Sequence, residues 1–186
     1  MPFRNTAEAY GSLAKFLHWA IVVLIVAQWF LVEGAEKAGE DTPEQAALMG
    51  WHISVGMTVL LLALARIAWK VYNGRHPAPI GEVVWQRKAA AAGHGILYLL
   101  ILLQPISGWL ATSTGGYPVG YFGWFDFPAL AGENHDLHET MEEVHEFLFN
   151  ALVVVAVVHI AAAYYHHFAL KDDTLRRMLP FSRTRT

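Results

Sequence analysis

Four stretches of this chain are too long and too apolar to fold as anything but membrane-crossing helices. They run over residues 13–32, 48–72, 89–111 and 147–168, and about 20 apolar residues suffice for a helix to cross the hydrocarbon layer. Lipid offers no partner to a backbone amide, so each spanning segment must satisfy its own amides, as a helix does. Charge is scarce: 16% of the 186 residues are Asp, Glu, Lys or Arg, against roughly a quarter in soluble domains. The expectation is an all-α integral membrane protein, a four-helix bundle of one domain over residues 1–186. Pro105 falls inside the third stretch, where a packed membrane bundle tolerates it. The first stretch is longer than a signal-peptide core, is followed by no small-residue cleavage site and carries His18, so it reads as a retained helix.

The charges between the stretches give an orientation. Residues 33–50 hold five acids against Lys37, and residues 112–146 hold seven acids and no base. The connection from Lys70 to Lys88 holds Lys70, Arg75, Arg87 and Lys88 against Glu82. From Leu170 onward, Lys171, Arg176, Arg177, Arg183 and Arg185 stand against Asp172 and Asp173. With Arg4, Lys15 and Arg66, 12 of the 13 Lys and Arg residues lie on one side. The excess of basic residues on cytoplasmic loops then puts both termini and the second connection in the cytoplasm. Pro77, Pro79 and Gly81 suit that connection to a plain linker. The aromatic, glycine-containing segment 112–146 is expected to form a structured cap on the outer face.

Four histidines fall at two matched depths in this arrangement. His18 lies about one to two turns inside the start of the first stretch, and His159 a similar distance from the end of the fourth. His52 is expected in the first outer turn of the second helix and His145 in the first outer turn of the fourth. His145 and His159 are 14 residues apart, nearly four turns and roughly 21 Å of rise, so both project from almost the same face of one helix. An unpaired imidazole in hydrocarbon is costly. Pairs at two depths are the geometry for clamping two haems, His18 with His159 near the inner face and His52 with His145 near the outer. His138 is the alternative partner for His52. The chain has no cysteine, which excludes thiolate ligation and covalent haem attachment through C-x-x-C-H. Gly56 and Ala163 are small residues on the ligand faces, placed to admit a flat ring.

At this point the chain resembles a known family, the bacterial cytochrome b561 proteins, over nearly its whole length. The resemblance rests on Lys15-Phe16-Leu17-His18-Trp19, on Trp51-His52 with Gly56 and Arg66, and on His94 with Tyr98. It continues through Val144-His145-Glu146, His159-Ile160-Ala161-Ala162-Ala163, His166-His167, and the closing run from Lys171-Asp172 through Thr174-Leu175 and Arg177-Met178 to Pro180. It implies two b-type haems with the same pairing. It also implies an inner-membrane electron carrier that exchanges electrons with the quinone pool, in some members by oxidising superoxide and reducing ubiquinone.

The remaining candidates are second to these. Arg66 is placed either to neutralise an inner haem propionate or to reach the headgroups. His94 could hydrogen-bond a quinone carbonyl or a propionate, or be interfacial. Lys15 and Lys171 have the same choice between propionate and headgroup. The outer run from His135 to Glu143 reads as a solvated acidic helix start, and no H-E-x-x-H motif occurs. The expected function is electron transfer in the inner membrane between ubiquinone and a donor, as an oxidoreductase of the superoxide:ubiquinone type. Two alternatives stand beside it: a haem-bearing anchor or relay subunit of a larger dehydrogenase, and a divalent-metal carrier. Expected partners are membrane lipid, quinone and superoxide or another donor, with an oligomer allowed and nucleic acid not expected. A dense acidic outer surface is unfavourable for an incoming superoxide anion.

Overall fold

The computed structural model describes residues 2–7, 9–74, 77 and 83–180. Arg75, His76, Pro79, Gly81 and Glu82 of the second connection, and Arg183 and Arg185 of the tail, lie outside the described residues. Four long helices carry the chain: α1 (Ser12–Ala38), α2 (Pro43–Asn73), α3 (Val84–Thr114) and α4 (His135–Phe168). Two short strands, β1 (Val119–Tyr121) and β2 (Phe125–Phe127), come between α3 and α4, and a single turn of helix, α5 (Thr174–Met178), follows α4. All four long helices are long and apolar enough to cross a membrane.

The helices outrun the apolar stretches that announce them. α4 begins at His135, about three turns before its apolar run, and at about 1.5 Å per residue its 34 residues exceed the hydrocarbon thickness of about 30 Å. Local chemistry sets these starts. Asn134 accepts a hydrogen bond from Leu137 N–H through Oδ1 at 3.0 Å, and Thr42 Oγ1 accepts one from Gln45 N–H at 3.1 Å. Both are N-caps that satisfy otherwise orphaned donors. Pro43 at the first position of α2 loses no bond there, because that amide has no helical acceptor. Residues 112–114 and 135–146 of the segment expected as a cap are therefore helix. His52 and His145 lie not in the first turn of their helices but about nine and ten residues in.

The bundle packs in chain order: α1 against α2, α2 against α3, and α3 against α4. One core cluster joins Ile21, Val59 and Ala63 to Ile101 and Leu102. A second joins Met57 and Leu60 to Val119 of the hairpin. The outward faces stay apolar and bare, with Phe147 71% and Phe168 67% exposed. Such a surface is untenable in water and correct against acyl chains.

At the acidic end, β1 and β2 pair antiparallel with Tyr121 opposite Phe125. Phe122 (φ 50) and Gly123 (φ 72) both take left-handed backbone, and Trp124 N–H closes the turn on Tyr121 O at 2.9 Å. This is the twist-compatible way to join two strands tightly. Ser54 of α2 clasps the hairpin: its Oγ donates to Gly120 O at 3.1 Å and accepts from Phe122 N–H at 2.9 Å. At the basic end, the tail folds back under α1. Lys15 Nζ donates to Leu179 O at 3.0 Å and Trp19 Nε1 to Met178 O at 2.9 Å.

Candidate functional site

α4 packs closely on α3 and α5, whereas α1 and α2 face it across a wider gap. Paired rings cross that gap. Near the acidic end, His52 of α2 faces His145 of α4 with ring centroids 6.1 Å apart and planes at 82°. Toward the basic end, His18 of α1 faces His159 of α4 at 6.5 Å and 73°. Between the two levels, Trp29 of α1 meets Phe149 of α4 at 5.9 Å.

The level near the acidic end is bound into a third helix. His145 Nδ1 lies 2.9 Å from the Gln104 carbonyl oxygen and 3.0 Å from Ser107 Oγ. A carbonyl can only accept, so Nδ1 carries the proton and Nε2 the lone pair. Gln104 then turns its amide nitrogen to Nε2 at 3.1 Å. Ser107 Oγ–H donates to the same Gln104 carbonyl at 2.8 Å, which leaves its own lone pairs to accept from Nδ1–H. Gly108 makes this fit possible: a Cβ there would stand 2.8 Å from His145 Cε1. Across the gap, His52 Nδ1 is buried with no hydrogen-bond partner among the described residues. Gln28 of α1 donates to the His52 main-chain carbonyl at 3.0 Å. The Gln28 amide also fills the space beside Gly56, where a Cβ would lie 3.0 Å from its nitrogen. The small residue expected to admit a flat ring thus admits a side chain.

The other level is flanked by cations and a further ring. His94 of α3 stands 5.3 Å from His159, and Trp19 stands 5.4 Å from His18. Arg66 Nη1 donates to Ala14 O at 2.7 Å, with its charge in electrostatic reach of His18, His94 and His159. His138, the alternative partner for His52, points elsewhere: its Nδ1 donates to Ala111 O at 2.9 Å. His166 is taken up by the tail turn, where Nδ1–H donates to Asp172 Oδ2 at 2.6 Å. Burial alone would raise the Asp172 carboxyl. The hydrogen bonds from His166 and Thr174 outweigh it and hold the group below the ordinary carboxylate value.

The spacing of the two pairs suits a shared metal ion. Two imidazoles on one ion, each by a bond of roughly 2 Å with its ring centre about 1 Å further back, put centroids about 6 Å apart. The pairs stand at 6.1 and 6.5 Å. Among the described residues no group of three or more His, Cys, Asp or Glu side chains could hold a metal ion. Two opposed ligands and no third suit an ion whose remaining positions a flat macrocycle fills. The gap beside α4 fits the same group. Sequence reasoning missed Gln28, Gln104, Ser107 and Gly108. The available signal was that polar side chains inside a spanning helix are expensive and need a reason.

Known proteins of the same build exist. The sequence profile of the family described as prokaryotic cytochrome b561 matches residues 9–181. The protein named cytochrome b561 homolog 2 of Escherichia coli strain K12 is 33% identical, over 96% of this chain and 95% of its own length. A protein of Yersinia pestis named probable superoxide oxidase CybB is 30% identical, over 95% of this chain and 98% of its own. A cytochrome b562 of Cereibacter sphaeroides is 30% identical, over 91% and 94%.

Proposed function

Because the chain belongs to the prokaryotic cytochrome b561 family of haem b-binding membrane electron carriers, we propose that it is a di-haem cytochrome exchanging electrons with ubiquinone. In this reading His18 and His159 hold one haem near the cytoplasmic face, and His52 and His145 hold the other near the outer face. Both termini are cytoplasmic, because the basic segments cluster at that end. The carrying observation is the pair of facing imidazole couples at 6.1 and 6.5 Å, one toward each end of α4.

Haem b bound between two such imidazoles supplies reversible one-electron chemistry at iron. The rest belongs to the chain. α4 would present one ligand to each site, about 21 Å apart along its axis, a span that covers most of the hydrocarbon thickness. His18 of α1 and His52 of α2 would hold the groups from the other side. The hairpin packs on α2 and caps the outer end. No side chain has to act as an acid, base or nucleophile.

Superoxide is the sharpest candidate donor, supported by the name of the Yersinia pestis relative. Two superoxide anions would give up one electron each at the outer site and leave as dioxygen. One ubiquinone would take those two electrons and two protons. Against this stands the acidic segment 112–146, which repels an anion at long range.

The test is haem-to-protein stoichiometry in His52→Ala and His159→Ala variants. Each should keep one haem, with a different spectral component lost in each. Two haems retained in both would overturn the ligand assignment. Stopped-flow haem reduction by superoxide, with and without added ubiquinone, then tests the donor. A purified chain that turns over only with a further subunit would be a relay component instead.

A further inference from the structure

The two histidine levels are built differently, and the difference lies in α3. At the outer level, His145 Nδ1–H is shared between the Gln104 carbonyl and Ser107 Oγ at 2.9 and 3.0 Å, while His52 Nδ1 has no hydrogen-bond partner among the described residues. At the inner level, among the described residues, no hydrogen bond of this kind holds a ring nitrogen of His18 or His159; the neighbours are the His94 ring and the Arg66 guanidinium. We propose that Ser107, acting with the Gln104 main-chain carbonyl, is a positioning element that fixes the His145 tautomer and holds the outer haem at a lower potential than the inner one.

This rests on the di-haem reading and adds to it a direction of flow. Donation of a ligand's distal N–H to an oxygen raises the basicity of the coordinating nitrogen. A more basic ligand favours the ferric over the ferrous ion, so the outer site gives up an electron more readily. A fixed guanidinium beside the inner site acts in the opposite sense, because it disfavours the more positive oxidised state. The Gln104 carbonyl is main chain and cannot be removed, which leaves the Ser107 hydroxyl as the adjustable half. Pro105, buried one residue beyond Gln104, lies between the two acceptors on the same turn of α3.

The test is potentiometric titration of the purified holoprotein carrying Ser107→Ala, with Ser107→Thr as the conservative variant. The outer component is identified as the one absent from His52→Ala. Ser107→Ala should shift the outer reduction equilibrium three- to tenfold toward the reduced state; tenfold is about 59 mV for one electron. Ser107→Thr should restore it. The ferric low-spin resonance of the outer site should change in step, and the inner component should not move. Should Ser107→Ala lose the outer haem, Ser107→Cys, whose thiol is a weak acceptor, gives the graded comparison with Thr. A shift on the inner component, or none from Ala and Cys alike, overturns the inference while leaving the di-haem reading intact. Wild-type protein that binds no haem overturns the reading instead.

Discussion

Gly108→Ala adds one methyl group at the point where α3 and the His145 ring meet. The new Cβ would stand 2.8 Å from Cε1 and 3.1 Å from Nδ1, against an optimal carbon–carbon separation of about 3.5 Å. The ring must retreat by about 0.7 Å, which carries a hydrogen bond now at 2.9 Å to about 3.6 Å, outside bonding range. Losing that bond costs about 0.5–1.5 kcal/mol and overpacking about 1–3 kcal/mol. A total of about 2–4 kcal/mol weakens retention of the outer haem by roughly 30- to several-hundred-fold, at about 1.4 kcal/mol per tenfold. Gly50→Ala is the control, because a Cβ there meets nothing within 4 Å while the gain in helix propensity is shared. Haem-to-protein ratios and reduced-minus-oxidised spectra should show one component lost from Gly108→Ala and none from Gly50→Ala. Two haems at wild-type potentials in Gly108→Ala would refute the steric reasoning.

Three further outcomes are expected. If superoxide is the donor, its rate of haem reduction should rise with ionic strength, since salt screens repulsion by the acidic segment 112–146; a rate that falls with salt would show steering by an unrecognised basic site. Asp172 titrates below its ordinary value of 3.8 because its hydrogen bonds win over burial. Its hold on the tail should therefore be complete above about pH 4 and disappear as pH falls through the folded pKa. Limited proteolysis near α5 should follow that course in the wild type, and Asp172→Asn should cleave at a pH-independent rate. Asn134→Ala should destabilise the start of α4 by about 1 kcal/mol, measurable as faster hydrogen exchange over residues 135–140 with both haem spectra unchanged.

The spans were legible because lipid leaves few solutions, and an apolar run of sufficient length admits only a helix. Their ends were not, because hydropathy stops where headgroups begin and helix geometry does not. The polar turns His135 to Glu146 stay helical under the Asn134 cap. The meeting of His18 with His159 along antiparallel helices, and of His52 with His145 along parallel ones, followed from depth, since rise per residue is fixed. Depth says nothing of azimuth, however. That Ser107 and Gln104 turn toward His145 depends on how α3 is rotated against α4, which no periodicity in an almost uniformly apolar stretch records. The left-handed Phe122 was equally hidden, because an aromatic residue there is held by the Ser54 clasp and not by its own preference.

α4 emerges from the ribosome last among the long helices, yet it contributes to both histidine couples. Until α4 begins to emerge, a nascent chain owns only half of either couple, His18 on α1 and His52 on α2. If the couples hold haem as proposed, capture at both levels waits on this last helix, the outer couple completing first. A chain cut short before residue 145 would leave the translocon with neither haem, rather than with one.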